Sequence, residues 1–331
     1  MTAAPSDREL VDLLRGQADG LEVVGLSRRP YRYATSAPLE EIHVEVTDGP
    51  GMDLILKDLS RDRLIGDAGA TKPEFLHQPD RELETYRAIL GPAGIGPRLV
   101  AAVSESDPAR HWLLIEKVPG VELWQIGEVS VWEEAARWLG AFHSGFAGRL
   151  DEVRAANPYL LDLSADWFRS WCERALERLA DTEDDRAPAL QQALERYDGV
   201  VDALGALPRT FVHGELYPSN VLVVQGDPPR ICPVDWEMAA IGPGLIDLAA
   251  LVGGWGDAER RRLVDAFLDG SDGAQEPDAL EADLARCRLH LALQWLGWSG
   301  DWRPPPEHAH DWLGEALGLA RELGLTEVER S

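Results

Sequence analysis

The hydrophobic pattern of this chain changes period once, near Pro119-Gly120, and that change restricts the folds open to it. Before it, apolar residues come in short runs rich in Ile, Val and Leu, at residues 21–26, 42–47, 54–59, 98–103 and 112–117. Turn signals separate them, among them Asp48-Gly49-Pro50-Gly51 and the polar stretch 105–110, so the runs predict strands. One helical segment, 80–90, follows a polar stretch at 60–79. Beyond Gly120, apolar residues recur at helical spacing over 131–146, 164–179, 187–204, 258–268 and 280–298. Strands first and helices afterwards predict an α+β chain. With 331 residues, 45% of them hydrophobic, there is enough chain for two cores. The expected division is 1–117 and 118–331.

One region breaks the helical pattern of the second part. Residues 210–212, 221–224 and 231–234 are short β-prone runs around turns, which predicts a small hairpin inserted among helices. The first run delivers a polar loop, Phe211-Val-His-Gly-Glu-Leu-Tyr-Pro-Ser-Asn220, and the last leads into Val234-Asp-Trp-Glu237. His213, Glu215, Asn220 and Asp235 therefore converge at strand ends. Phosphoryl transfer needs a carboxylate near the attacking hydroxyl and oxygen ligands for Mg²⁺ on the nucleotide phosphates. Glu215, Asn220 and Asp235 supply that set.

The segment resembles the catalytic loop of the aminoglycoside phosphotransferase and choline kinase family, relatives of protein kinases. The family pattern H-G-D-x-x-x-x-N, followed by a strand ending in I-D-W-E, is matched here by H-G-E-x-x-x-x-N and V-D-W-E. Gly242-Pro-Gly-Leu-Ile-Asp247-Leu-Ala resembles a further family segment, whose aspartate steadies the loop through backbone amides. The resemblance implies a bilobal protein-kinase-like fold, with a small N-terminal β-sheet lobe carrying one main helix and a larger, mostly helical C-terminal lobe. It implies ATP or GTP as phosphate donor, Mg²⁺ held by Asn220 and Asp235, Glu215 as the catalytic carboxylate and His213 as a brace for the loop. Lys57, on the strand-like Leu54-Ile-Leu-Lys57, takes the place of the phosphate-contacting lysine, with Glu82 as its partner and Glu84 as the alternative. Backbone groups from Glu116 to Val118 resemble the hinge that holds the base. The acceptor implied is a hydroxyl of a small metabolite or antibiotic.

Two departures stand out. Glu215 occupies the usual aspartate position and carries one methylene more. The expected phosphate-covering loop, Tyr33-Ala-Thr-Ser-Ala-Pro38, contains no glycine, leaving the hydroxyls of Thr35 and Ser36 as candidates. Both keep a second reading open, a nucleotide-binding pseudokinase-like protein without transfer activity; nucleotidyl transfer is a third.

Composition narrows the partners. A net charge of -26, from 58 acidic and 32 basic residues, repels nucleic acid and anionic lipid, so neither is an expected partner. Cys172, Cys232 and Cys287 show no metal spacing and read as buried thiols. No apolar run reaches membrane length and residues 1–14 lack a secretory pattern, so the expected location is cytoplasmic. Lysine occurs only at 57, 72 and 117, so each deserves a reason in a chain that otherwise uses arginine. Lys72, in a polar stretch, reads as a surface residue. Trp167, Trp171, Trp295 and Trp298 read as helix packing, with Trp302 nearby. Pro304-Pro305-Pro306 reads as a stiff connection.

Overall fold

The structure is a computed structural model that describes residues 4–18, 21–31, 37–64, 72–106, 109–272, 277–298 and 310–326. The expectations at Thr35, Ser36, Trp302 and 304–306 fall outside these residues. Two compact units are formed, one from Met1–Gly120, Ala156–Tyr159 and Cys232–Glu237, the other from Val121–Ala155, Leu160–Ile231 and Met238–Ser331.

The first unit opens with a helix that the strand-like pattern did not suggest, α1 (Asp7–Gln17). Ser6 and Glu9 form a capping box, the Glu9 amide bonding the Ser6 hydroxyl and the Ser6 amide the Glu9 carboxylate, so two orphan helix donors are satisfied at once. The five expected strands follow as β1 (Val23–Pro30), β2 (Leu39–Val46), β3 (Met52–Asp58), β4 (Leu99–Ser106) and β5 (Ala109–Glu116). They pair antiparallel in the order β1-β2-β3-β5-β4.

Side chains alternate across a strand, and here the alternation separates core from chemistry. Ile42, Val44, Leu54, Leu56, Trp112 and Leu114 share one face and pack with Leu10 and Leu14 of α1. Burial of each such side chain contributes roughly 1.5–3 kcal/mol, which explains why α1 covers this face. Lys57, one residue beyond Leu56, necessarily lies on the other.

Between β3 and β4 runs α2 (Pro79–Glu84), which continues as π-helix over Thr85–Leu90 before a last turn at Gly91–Ala93. The Asn157 side chain donates to Arg81 O (2.9 Å) and Thr85 Oγ1 (3.0 Å), bracing the point where the helix widens.

The second unit is mostly helical. In chain order it contains β6 (Val121–Glu122), α3 (Val129–Ala147), α4 (Leu150–Ala156, whose last residue counts with the first unit), β7 (Leu161–Asp162), α5 (Ala165–Ala180), α6 (Ala187–Leu194) and α7 (Asp198–Ala206). There follow β8 (Arg209–Val212), β9 (Val221–Val224), β10 (Arg230–Pro233, ending in the first unit), β11 (Ala240–Pro243), α8 (Leu245–Leu251), α9 (Asp257–Gly270), α10 (Pro277–Gly297) and α11 (Trp312–Glu322). The stretch 187–204, expected as one helix, is two, and the second restarts at Asp198-Gly199, where an acidic first-turn residue is followed by a poor helix former. α11 was not anticipated.

Helices α3 and α9 pack against each other, and Gly140 lets them approach: a Cβ there would overlap the carbonyl of Phe267. Trp171 stacks on Trp298 (5.8 Å between centroids, 6° between planes), and Trp295 on Trp312 (5.3 Å, 6°). These tryptophans do serve helix packing. The run 210–212 is not part of the hairpin, since β8 pairs with β11 in a sheet ordered β7-β11-β8, while the hairpin joins a second small sheet, β10-β9-β6. All three cysteines are buried and unbridged.

Candidate active site

Strand β8 ends at Val212 and the next residues turn sharply. Gly214 has φ +86°, and a Cβ at that position would collide with the Met238 carbonyl, so only glycine fits between His213 and Glu215. The loop is then fastened from α8. Asp247, fully buried, accepts from the His213 amide at Oδ2 (2.8 Å) and from the Gly214 amide at Oδ1 (2.9 Å), with His143 Nε2 also 3.1 Å from Oδ2. A buried carboxylate with three donors is compensated, and in return it holds the backbone just ahead of Glu215.

Within the loop, the Glu215 amide donates to His213 Nδ1 (3.3 Å), so this imidazole nitrogen acts as an acceptor and the ring braces the loop. Asn220 donates its Nδ2 to Glu215 O (3.0 Å) and its amide to Tyr217 O (2.8 Å). The side-chain nitrogen is thereby committed and the carbonyl Oδ1 is the atom able to face a cation. One rotamer thus lets Asn220 cap the loop through its nitrogen while leaving its oxygen for a cation.

The first unit holds a cluster of alternating charge. Lys57 Nζ lies 2.7 Å from Glu82 Oε2 and is also bonded to Asp235 Oδ1. The lysine and glutamate side chains are 11% and 3% exposed. Burial pulls the ammonium down, but the Asp235, Glu82 and Glu237 carboxylates more than reverse this and hold it well above its ordinary value. Burial pushes the Glu82 carboxyl up, against the pull of Lys57, to about 7. Glu84, the alternative partner, is paired instead with Arg87 on the same helix.

Asp235 was expected at a strand end; β10 stops at Pro233, and Asp235 sits two residues on with φ +67°, the one non-glycine positive φ among the described residues. That conformation is uncommon outside glycine and persists only where neighbours enforce it. Here the next amide, Trp236 N–H, donates to Glu82 Oε1 (3.2 Å), while Lys57 holds the Asp235 carboxylate. Glu82 thus fixes both the lysine and the turn that presents the aspartate.

At the end of β5, the Glu116 amide donates to Arg98 O (2.8 Å) and the Lys117 amide to Asp53 O (3.0 Å). Because amide directions alternate along extended backbone, the Glu116 amide and the Lys117 amide point to opposite sides of β5. Val118 lies beyond the last paired residue of β5 and is buried.

Residues 42–290 match the model of the phosphotransferase enzyme family. The chain belongs to that family. Viomycin phosphotransferase of Streptomyces vinaceus is a relative, 31% identical over 152 residues, which are 44% of this chain and 51% of that protein. The match thus spans about half the length of this relative. Among solved structures, macrolide 2'-phosphotransferase from Brachybacterium faecium is similar with a TM-score of 0.58 at 20% identity, covering 87% of this chain and 90% of the other. The GDP complex of wild-type aminoglycoside 2'-phosphotransferase-IIIa gives 0.56 at 14%, covering 96% and 98%. Choline kinase from Streptococcus pneumoniae gives 0.54 at 14%, covering 92% and 94%. The fold is the protein-kinase-like α+β fold of these enzymes, with its N-terminal antiparallel sheet and mostly helical C-terminal part.

In this phosphotransferase-family chain two features near the site lay beyond sequence reading. Lys72 is not a surface residue: its side chain is 10% exposed and its ammonium lies 2.7 Å from Glu237. Its polar neighbours in sequence gave no hint of a partner 165 positions away. Tyr217, between Glu215 and Asn220, accepts from Trp295 Nε1 of α10 (2.7 Å). Burial, with the Glu215 charge nearby, holds this phenol well above its usual value. Among the described residues no group of three or more His, Cys, Asp or Glu side chains forms a metal cage, and none of the helices is long and apolar enough to cross a membrane.

Proposed function

We propose that the chain transfers the γ-phosphate of ATP or GTP to a hydroxyl of a small metabolite or antibiotic. The observation that carries this reading is the buried Lys57–Glu82 pair, joined to an Asp235 held in a left-handed turn. That arrangement keeps a compact cation and a carboxylate at fixed positions for phosphate and metal.

In this reading Lys57 contacts the α- and β-phosphates, and Glu82 keeps it in place. The backbone from Glu116 to Val118 offers a carbonyl and an amide to the base edge; the GDP in a similar structure supports a purine nucleotide there. Asp235 and Asn220 are the oxygen donors assigned to Mg²⁺. Hard-cation sites of this kind use one or two protein oxygens and complete their shell with phosphate and water, which fits a donor set smaller than a cage. When bound, Mg²⁺ neutralises charge on the transferring phosphate. Glu215 accepts or orients the proton of the acceptor hydroxyl, and Asp247 keeps the loop from recoiling. The relatives support the acceptor class, since their names record viomycin, a macrolide, an aminoglycoside and choline.

The test is nucleotide turnover over a panel of hydroxyl acceptors. Asp235→Ala abolishes transfer; equal rates in variant and wild type overturn the metal assignment. Glu215→Asp retains or raises the rate if the carboxylate alone matters, and complete loss means that the longer reach is required. The identity of Glu215 favours one competing reading, nucleotide binding without transfer. Nucleotide-dependent stabilisation, about 2.7 kcal/mol at a hundredfold excess over Kd, with no product from any acceptor, would establish it instead.

A further inference from the structure

We propose that Lys72 is a second phosphate-binding lysine, one that engages the terminal phosphate of a bound nucleoside triphosphate and so distinguishes triphosphate from diphosphate. The inference rests on the nucleotide reading above and adds to it a residue that neither the loop motif nor the rare-lysine argument had placed at the site.

Four observations carry it. The first is charge economy: the chain keeps three lysines among its 32 basic residues, and Lys57 and Lys72 belong to one unit with Asp235 and Glu237. An ammonium is a compact, rotatable donor suited to a phosphate oxygen, whereas a guanidinium is a wide, planar fork.

The second is burial. The Lys72 side chain is only 10% exposed and its ammonium lies 2.7 Å from Glu237. Sequestering a lysine in this way is better explained by a ligand than by stability, because a buried ion pair contributes little net stability on its own.

The third is anchoring. The Lys72 carbonyl lies 3.1 Å from His77 Nε2, and the imidazole is pushed down by burial and by the Lys72 charge. The Glu237 carbonyl accepts from Arg81 (2.8 Å), and Arg81 also bonds the carbonyls of Leu76 and Tyr159. Both backbones are therefore fixed, so redirecting the ammonium requires rotation of the lysine stem alone.

The fourth is position. Glu237, which holds Lys72, stands two residues from Asp235, which holds Lys57. Glu237 thus works as a placeholder, keeping the Lys72 ammonium beside the phosphate site until an anion with more oxygens replaces it.

The experiment compares binding of the Mg²⁺ complexes of nucleoside tri- and diphosphate to wild type, Lys72→Met and Glu237→Gln by calorimetry. Lys72→Met is expected to weaken the triphosphate by roughly tenfold, the size of a lost charge-assisted contact, and the diphosphate by less than about twofold. Glu237→Gln is expected to keep or increase the preference for triphosphate. Equal losses for both nucleotides, or no loss, overturn the proposal, as does a Glu237→Gln variant that reproduces the selective loss. Wild type binding neither nucleotide is a different failure, visible before any variant is made, and removes the nucleotide reading itself.

Discussion

The Lys57 ammonium and the Glu82 carboxylate lie 2.7 Å apart in surroundings that leave the glutamate only 3% exposed. Their separation depends on a cation being present, because burial alone drives the glutamate towards its neutral form.

The first prediction concerns pH. The folded-state value for Glu82, about 7, lies above its ordinary 4.5, so the folded chain holds a proton that the unfolded chain releases, and stability declines as pH rises through that window. Lys57→Met removes the cation and raises Glu82 further, extending the decline past neutrality. Denaturant unfolding at pH 6, 7.5 and 9 should show the variant falling progressively behind wild type, by up to about 1.4 kcal/mol per pH unit. A difference independent of pH would contradict this.

Asp247 is the second target. Asp247→Ala strands the buried amides of His213 and Gly214 along with His143, at a cost of about 3 kcal/mol or more. Asp247→Asn keeps shape and one acceptor and should cost less. Unfolding midpoints of the two variants, ranked against wild type, decide the matter; an alanine variant as stable as wild type would mean that the loop is held by other contacts.

Tyr217 links the loop to α10. Tyr217→Phe leaves Trp295 Nε1 without the phenol oxygen and should cost about 1 kcal/mol. Because the phenol steadies the backbone between Glu215 and Asn220, kcat should fall about tenfold while nucleotide affinity stays within about twofold. Steady-state kinetics with a binding isotherm separates the two effects, and an unchanged kcat would show that the loop does not need this anchor.

His290, buried in α10, makes stability sensitive to acid. Burial pushes its imidazole down to about 3 from an ordinary 6.5, and its Nδ1 faces the Tyr197 hydroxyl at 3.2 Å. The unfolded chain takes up a proton near 6.5 that the folded chain refuses until about 3, so this contribution is present above 6.5 and lost on acidification. His290→Gln should flatten the stability profile between pH 6.5 and 4 relative to wild type. Parallel profiles would sink the assignment.

What could be read in advance followed from how far information travels along the chain. The five strands and the long helices were legible because periods of two and 3.6 are local. The loop from His213 to Asn220 was legible because its polar residues lie within a single turn. Lys57 was singled out through rarity and strand position, although parity alone could have told that it opposes the face of Leu54 and Leu56. The start of α1 was also open to view in Ser6 and Glu9, yet the strand-rich surroundings obscured it.

The sequence by itself determined the five strands of the first unit and most of the long helices, that Gly214 and its neighbours form a tight polar loop, and which family the chain belongs to. Only the tertiary structure decided that Glu82 rather than Glu84 meets Lys57, that Lys72 is buried against Glu237, and that Asp235 is bent into a left-handed turn. These are pairings between positions tens to more than a hundred residues apart in the chain. Their energies depend on desolvation as well as charge, and burial exists only once the chain has folded back on itself.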